Sequence, residues 1–551
     1  MNTRNIQFLL FLTGFLLFSN GCTENSSGDK AGKQATGNFL TWDDFSKYIT
    51  EFNEKDEELY IQYIPNNDAG GFLKDNIPYF HCPDKELEKT YYFRWWTFRK
   101  HIKNTPDGFV ITEFLPDVSW AGKHNTISCP AGHHFYEGRW LHDPTFLQDY
   151  ANFWFKGGGS PRSYSFWAAN SILAFAQVHK NKELVTDLLP YLADNYKEWE
   201  KSNLCEDGLF WQVDDRDGME VSVGGSGKRA TINSYMYGDA RAIAEIAKMT
   251  GNNAINETFS QKASELRSLL LSTLWDEQAS FFKTLPLSKP ELGKIDGIHL
   301  GTFSQYSNDS PELIDVRELH GYTPWYFSIP EDKHSAAWKF LLDPEGFKAP
   351  YGPTTAERNH PGFQVVYEGH ACQWNGPSWP MATSITLKAM ANLLRDYNQT
   401  VISKDDFVKQ LQIYSNSHRR INEKGDTVCW IDENLNPFTG DWISRTMLKS
   451  RGYQYKERGK DYNHSAFCDF IISDLVGIRP SMNNSLTINP LLPEGYWDWF
   501  CLDRVKYHNK NLTIIWDKDG TRYNKGKGFS IFIDNQLKHN SQNLEKIEIE
   551  I

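Results

Sequence analysis

The chain has 551 residues, 40% hydrophobic and 23% charged, which is enough apolar content for a large buried core and excludes an intrinsically disordered chain. Its 70 acidic against 58 basic side chains leave a formal net charge of -12, which disfavours nucleic acid as a partner, because that binding needs a basic face. Aromatic residues make up 15% of the chain, more than a core of this size requires, so some rings are expected to face a ligand.

In chain order, residues 1–21 carry Arg4, an apolar run from Phe8 to Phe18 and then Ser19-Asn20-Gly21-Cys22, the layout of a secretory signal. The run is too short for a membrane span of ~20 residues. A small residue directly before Cys22 resembles the bacterial lipoprotein cleavage signal, so lipidation of Cys22 is expected. Residues 22–40, rich in Ser, Gly, Lys and Asn, then read as a flexible tether. This implies a lipid-anchored protein of the bacterial cell envelope, in the periplasm or on the outer-membrane surface, touching the membrane only through its anchor. The other seven cysteines, Cys82, Cys129, Cys205, Cys372, Cys429, Cys468 and Cys501, show no CxxC pair. Most are expected to be buried small apolar residues, with one bridge left open.

Residues 41–479 read as a mainly α catalytic domain. Leu184, Leu188, Leu192, Tyr196 and Trp199 recur at helical spacing, as do Phe259, Ala263, Leu266, Leu270 and Leu274. Further helices are predicted over 163–178, 231–249, 381–397, 405–417 and 465–475. From residue 480 the pattern alternates instead: Leu486/Ile488, Leu512/Ile514/Trp516 and Phe529/Ile531/Ile533 predict a small β unit over 480–551, packed on the helical body, with residues 540–551 peripheral.

Three loop segments concentrate Trp, Gly, Pro and carboxylates between helices, where a scaffold usually carries its binding groups. In the first, Trp211-Gln212-Val213-Asp214-Asp215-Arg216-Asp217-Gly218-Met219-Glu220, four carboxylates lie within seven positions. Their mutual repulsion should raise the pKa of at least one, with Trp211 and Met219 as an apolar wall, so a general acid is expected here. A calcium loop or a helix-capping turn is the plainer alternative, although the spacing departs from the EF-hand. In the second, Gln373-Trp374-Asn375-Gly376-Pro377-Ser378-Trp379-Pro380, two indoles can stack on a sugar ring while Asn375 bonds its hydroxyls, unless the Trp and Pro residues merely brace the helix that follows. In the third, Trp430-Ile431-Asp432-Glu433-Asn434-Leu435-Asn436-Pro437, a carboxylate held by turn residues can orient water; an exposed Asp-Glu turn is the ordinary alternative.

Trp374-Asn375-Gly376-Pro377-x-Trp379-Pro380 resembles the signature of glycoside hydrolase family 63 and its mannosylglycerate hydrolase-like relatives, enzymes built on an (α/α)6 barrel. Glu433-Asn434-Leu435-Asn436-Pro437-x-Thr439-Gly440 is similar to the segment in which such enzymes hold their general base, which implies that role for Glu433. Gly218-Met219-Glu220-Val221-Ser222 resembles the acid-bearing segment, with Glu220 where the family has Asp; Asp214 or Asp217 would take the role in another register. The resemblance covers about residues 80–475 and implies an (α/α)6 barrel followed by a small β unit like the C-terminal sheets of α-L-rhamnosidases.

Arg216, together with the pairs Arg94-Trp95 and Arg139-Trp140, adds candidate sugar contacts, since guanidinium can fork onto hydroxyls while indole stacks. No HExxH spacing marks a metal site, and no cofactor is expected. The resulting expectation is an exo-acting, inverting hydrolase of an α-linked glycan. Glu220 would be the acid, with its pKa raised by Asp214, Asp215 and Asp217, and Glu433 the base. The carboxyls would stand about 6.5–9.5 Å apart to admit a water. A non-catalytic SusD-like glycan-binding lipoprotein is the rival reading, and a lyase or phosphorylase on the same barrel is another.

Overall fold

Helices form where apolar spacing and capping agree. In the computed structural model Lys182–Asn203 buries Leu184, Leu188, Leu192, Tyr196 and Trp199, and the Asn181 side chain caps it by accepting the Leu184 N–H. Ala230–Thr250 ends at Gly251, whose φ of 76° is left-handed, and Asn252 at once caps Asn253–Thr273, so the two helices fold back on each other across a short turn. Residues 39–295, 308–452 and 457–551 are described, and they belong to one compact unit, Asn38–Ile551. The signal sequence, Cys22 and nearly all of the tether lie outside the described residues.

Six helical segments close an inner ring: Ala131–Gly138, Ala168–His179, Ala230–Thr250, Thr323–Tyr326, Pro380–Asp396 and the stretch ending in Phe470–Leu475. Each neighbouring pair is joined by identifiable contacts. Tyr136 donates to Asn170 at 2.8 Å, and Asp239 accepts the Asn170 N–H at 3.1 Å. Gly238 lets Phe327 approach to where a Cβ would stand 2.4 Å from its ring. Asn392 donates to the carbonyls of Trp325 and Tyr326. Ser384 accepts the Ala466 N–H, and Glu137 accepts those of Phe467, Cys468 and Asp469. Glu137 and Asp239 thus hold helix starts by accepting backbone N–H groups, while burial pushes both carboxyls up, that of Asp239 to about 8. Lys85–Lys100, Thr145–Lys156, Lys182–Asn203, Asn253–Thr273, Asp332–Leu342 and Lys404–Ser417 lie outside this ring, giving an (α/α)6 barrel.

Lys85–Lys100 shows no apolar stripe because it is covered on both sides; Phe52 of Ser46–Glu54 packs on Phe93 and Trp96 from without. This burial corrects the reading of Arg94 and Trp95 as sugar contacts. Arg94 bonds Tyr414, His418 and the Ser465 carbonyl, and Trp95 is enclosed in the core. Arg139 and Trp140 are likewise internal. Both donate to Asp469, which Lys388 also meets, while Asp474 joins Lys388 to Arg395. Trp211 packs in a separate cluster with Leu287 beside Cys205.

The β region is more entangled with the barrel than its position in the chain suggests. Its five-stranded antiparallel sheet runs in the order Tyr79–His81, Trp499–Tyr507, Lys510–Asp517, Gly528–Ile533 and Gln536–Ser541, so its first strand comes from the N-terminal part of the chain. His508-Asn509 and Asp534-Asn535, all four at positive φ, make two tight hairpin turns, where Asn and Asp accept the left-handed conformation. Residues 540–551 are not peripheral: Ile547–Glu550 pairs with Ser485–Ile488, and Ile547 is buried. The seven described cysteines are all unpaired, and Cys82, Cys129, Cys468 and Cys501 are buried.

Candidate active site

The connections leading from each outer helix into the next inner one gather at one end of the barrel, and among the described residues five of the six contribute side chains to a single cavity of about 290 Å³. Glu113, Trp120 and Cys129 come from the first connection and Tyr164 from the second. Asp215, Arg216 and Glu220 come from the third, Cys372 and Trp379 from the fifth, and Glu433, Arg458, Tyr462 and His464 from the sixth.

The three motif loops are stitched together by backbone. The Trp374 N–H donates to the Glu220 carbonyl at 3.0 Å, and Ser378 and Leu435 exchange two hydrogen bonds at 2.9 and 3.0 Å. Gly376 permits this path, since a Cβ there would stand 2.0 Å from the Gln364 carbonyl oxygen. The acid loop turns through a 3-10 segment, Asp214–Asp217, and then Gly218, where a Cβ would stand 2.5 Å from the Cys129 sulfur. Val221, directly after Glu220, has φ 64°, a conformation that is costly for a β-branched residue. Strain is thus stored beside the candidate acid.

Burial pushes the Glu220 carboxyl up to about 8, the charges of Asp215, Glu433 and Glu113 act in the same direction, and a hydrogen bond from its own backbone opposes them. The expected crowding by Asp214 and Asp217 is not the cause. Asp217 is fully buried in an ion pair with Arg229 at 2.7 Å and accepts from Thr231. Asp214 accepts from Ser222, Ser226 and the Asp215 N–H. Both hold the loop's shape, and neither lines the cavity.

Glu433 is 1% exposed yet borders the same cavity. Arg458 forks onto it, Nε to Oε1 and Nη2 to Oε2, both at 2.7 Å, while Cys372 Sγ and Ser444 Oγ donate to Oε2 at 3.1 and 3.3 Å. Its orientation is therefore determined by four donors. Beneath it, burial and the Glu433 charge push the Asp432 carboxyl up to about 7.

Trp379 lines the cavity and donates its indole N–H to the Gln373 carbonyl. Trp374 does not reach the cavity; it stacks behind Trp379, centroids 4.7 Å apart, so only one of the two indoles serves as a wall. Asn375 is also outside the lining, its side-chain oxygen buried without a partner among the described residues. Arg216 does line the cavity, its guanidinium 5.0 Å from the Tyr164 ring and 3.7 Å from Asp215. At the rim Trp120 is 47% exposed, edge-on to Phe114 and 5.3 Å from Arg458. Sequence reasoning missed Glu113, Trp120, Cys372, Arg458, Tyr462 and His464; only the nearness of Arg458 and His464 to the base loop could have hinted at them.

Residues 123–465 match the family described as "Mannosylglycerate hydrolase MGH1-like glycoside hydrolase domain", and residues 479–539 match "Glycosyl hydrolase family 65, C-terminal domain". A solved structure named "Sialidase" is 40% identical with TM-score 0.83, aligned over 93% of this chain and 45% of that one, so this chain spans less than half of that protein's length. The GH63 mannosylglycerate hydrolase from Thermus thermophilus aligns over 70% of this chain and 100% of its own, at 12% identity and TM-score 0.48. The GH78 family rhamnosidase of Bacillus sp. GL1 aligns over 80% of this chain and 40% of its own, at 12% identity and TM-score 0.49. With more than half of its length matched by the family's own pattern, the chain belongs to the mannosylglycerate hydrolase MGH1-like glycoside hydrolases.

Proposed function

We propose that this protein is an exo-acting, inverting glycoside hydrolase of an α-linked glycan, with Glu220 as general acid and Glu433 as general base. One observation carries the reading: two carboxyl groups 213 positions apart in sequence border one cavity in opposite electrostatic settings. Among the described residues Glu220 forms no ion pair, and burial raises it to about 8, so it holds a proton at neutral pH. Glu433 lies in the Arg458 fork, a setting that suits a carboxylate. Such divergence separates acid from base in glycosidases.

In this mechanism the Glu220 proton passes to the glycosidic oxygen as the bond to the anomeric carbon breaks. Glu433 takes a proton from the water that attacks the opposite face, leaving a sugar of inverted configuration. Arg458, Cys372 and Ser444 keep the base aimed, and Trp379 supplies an apolar wall. The small cavity suits a terminal sugar better than the middle of a polymer, which supports exo action. A panel of aryl glycosides offered to the wild type, Glu220→Gln and Glu433→Gln, with NMR of the first product anomer, tests the scheme. Unchanged hydrolysis in both variants, or retention of configuration, would sink it.

Anchoring through a lipid on Cys22 is part of the proposal, supported by the Gly21-Cys22 junction. Detergent-phase partition of the wild type, lost in Cys22→Ala, is the outcome expected in the native host.

A further inference from the structure

Phe39 joins the folded body at the five-stranded sheet, and the surface around it differs in charge from the chain as a whole. Its ring packs on Phe532 with centroids 4.7 Å apart, and Lys525 Nζ stands 5.1 Å from it. Lys525 belongs to the connection 518–527 between the strands Lys510–Asp517 and Gly528–Ile533, which carries Lys518, Arg522, Lys525 and Lys527 against a single acid, Asp519. Lys518 pairs with Asp498 at 2.8 Å, whereas Arg522, Lys525 and Lys527 form no ion pair among the described residues. Half-buried rings lie among these cations. Arg522 stands 4.4 Å and Lys85 5.3 Å from the Trp499 ring, and Tyr523 is edge-on to the same indole and meets His81. Burial, then the charges of Lys85 and Arg522, push His81 down to about 4, outweighing Asp44, so cations dominate locally on a chain whose formal net charge is -12.

Unpaired cations interleaved with half-buried indole and phenol rings suit a lipid interface, because such rings settle at headgroup level while Lys and Arg meet lipid phosphates. Position adds to composition. Residues 23–38, sixteen in number, separate Cys22 from Phe39, and a coil of that length reaches about 22 Å on average, against a body about 60 Å across. An anchor at Cys22 therefore brings the face around Phe39 to the bilayer before any other. We infer that this face, with Arg522, Lys525, Lys527 and Trp499 at its centre, rests on anionic lipid headgroups and sets the orientation of the protein on the membrane. The inference rests on the lipid-anchor reading and adds an orientation to it. Lys85, beside Trp499, opens the helix Lys85–Lys100, and the connection after that helix supplies Glu113 and Trp120 to the cavity. About 24 Å of helix thus stands between the lipid face and the cavity loops, which keeps the cavity open to glycan.

The test uses the full-length protein from its native host, placed in vesicles of phosphatidylglycerol and phosphatidylethanolamine, in vesicles of phosphatidylcholine, or in neutral detergent micelles. A water-soluble lysine-acylating reagent is added, and the labelled peptides are quantified by mass spectrometry. Lys525 and Lys527 are expected to label at least about fivefold more slowly in the anionic vesicles than in micelles, and phosphatidylcholine should restore most of that rate. Lys201, exposed near the end of Lys182–Asn203, should label equally in all three. The double variant Arg522→Glu/Lys527→Glu should free Lys525 for labelling while the protein stays attached through its lipid, with hydrolysis of a soluble aryl glycoside unchanged as the check on folding. Equal labelling of Lys525 and Lys527 in anionic vesicles and micelles, equal protection on phosphatidylcholine, or protection that persists in the double variant would overturn the inference. The first two outcomes need only the wild type, so the test stands even if the variant does not fold. A wild type that fails to attach to any vesicle would instead discard the lipid-anchor reading, and this orientation with it, so the two failures are distinguishable.

Discussion

Two sets of buried charge, one among the barrel's inner helices and one at its cavity, use the same residue types to opposite effect. In the helix ring, Asp469 is buried with Arg139 and Lys388 against it. Burial alone would raise its carboxyl, but the two cations hold it below the usual carboxylate range. At the cavity Glu220 is half-buried and, among the described residues, forms no ion pair, and its carboxyl rises to about 8. Between Asp469 and Glu220 the difference is therefore a cationic partner rather than burial, and Asp239, a helix-start carboxyl raised to about 8 by burial, shows that a raised carboxyl becomes a candidate proton donor only where it borders the cavity.

The largest effects should break this comparison cleanly. Glu220→Gln and Glu433→Gln are each expected to lower kcat about 10²- to 10⁴-fold, and Glu220→Gln should not destabilise the protein near neutral pH, as steady-state rates and calorimetry together would show. Asp469→Ala should do the reverse. By leaving Arg139 buried without its carboxylate, while Lys388 keeps Asp474, it should cost about 3–5 kcal/mol of unfolding free energy, with kcat of the remaining folded protein near wild type. Equal losses of stability in the two sets would mean that the cavity carboxyls are structural too.

The pH dependence sharpens the contrast. As the proposed acid, Glu220 would work only when protonated, so kcat/KM should fall about tenfold per pH unit above about 8. The same group ionises near ~4.3 when unfolded, below its folded value, so the unfolded chain releases the proton first and stability declines as pH rises from that value toward about 8. Glu220→Gln should remove that slope, which denaturant titrations at a series of pH values would reveal. The smallest effect is expected at the rim, where Trp120→Ala should raise KM several-fold, about 1 kcal/mol, with kcat and melting temperature unmoved.

Much of the architecture was legible because apolar periodicity and caps act locally. The helices around Leu184–Trp199 and Phe259–Leu270 and the alternation of Leu512, Ile514 and Trp516 appear where spacing predicts them. Lys85–Lys100 was illegible as an element because covering both faces erases the stripe. For the same reason Arg94-Trp95 and Arg139-Trp140 look like sugar contacts in one dimension, whereas in three they are core residues, with Arg94 bonded to Ser465 and both Arg139 and Trp140 to Asp469. The strand Tyr79–His81 carries no mark that its partner lies more than 400 positions away.

Local order along the chain determined that carboxylates, indoles and turn residues would be grouped in loops between helices, because those choices depend on neighbours in sequence. Which carboxyl keeps its proton, which indole faces the cavity, and that Arg458, Glu113 and His464 meet there at all were decided by closure of the helix ring. Desolvation and charge pairing depend on distances that exist only once chain segments hundreds of residues apart have been brought together.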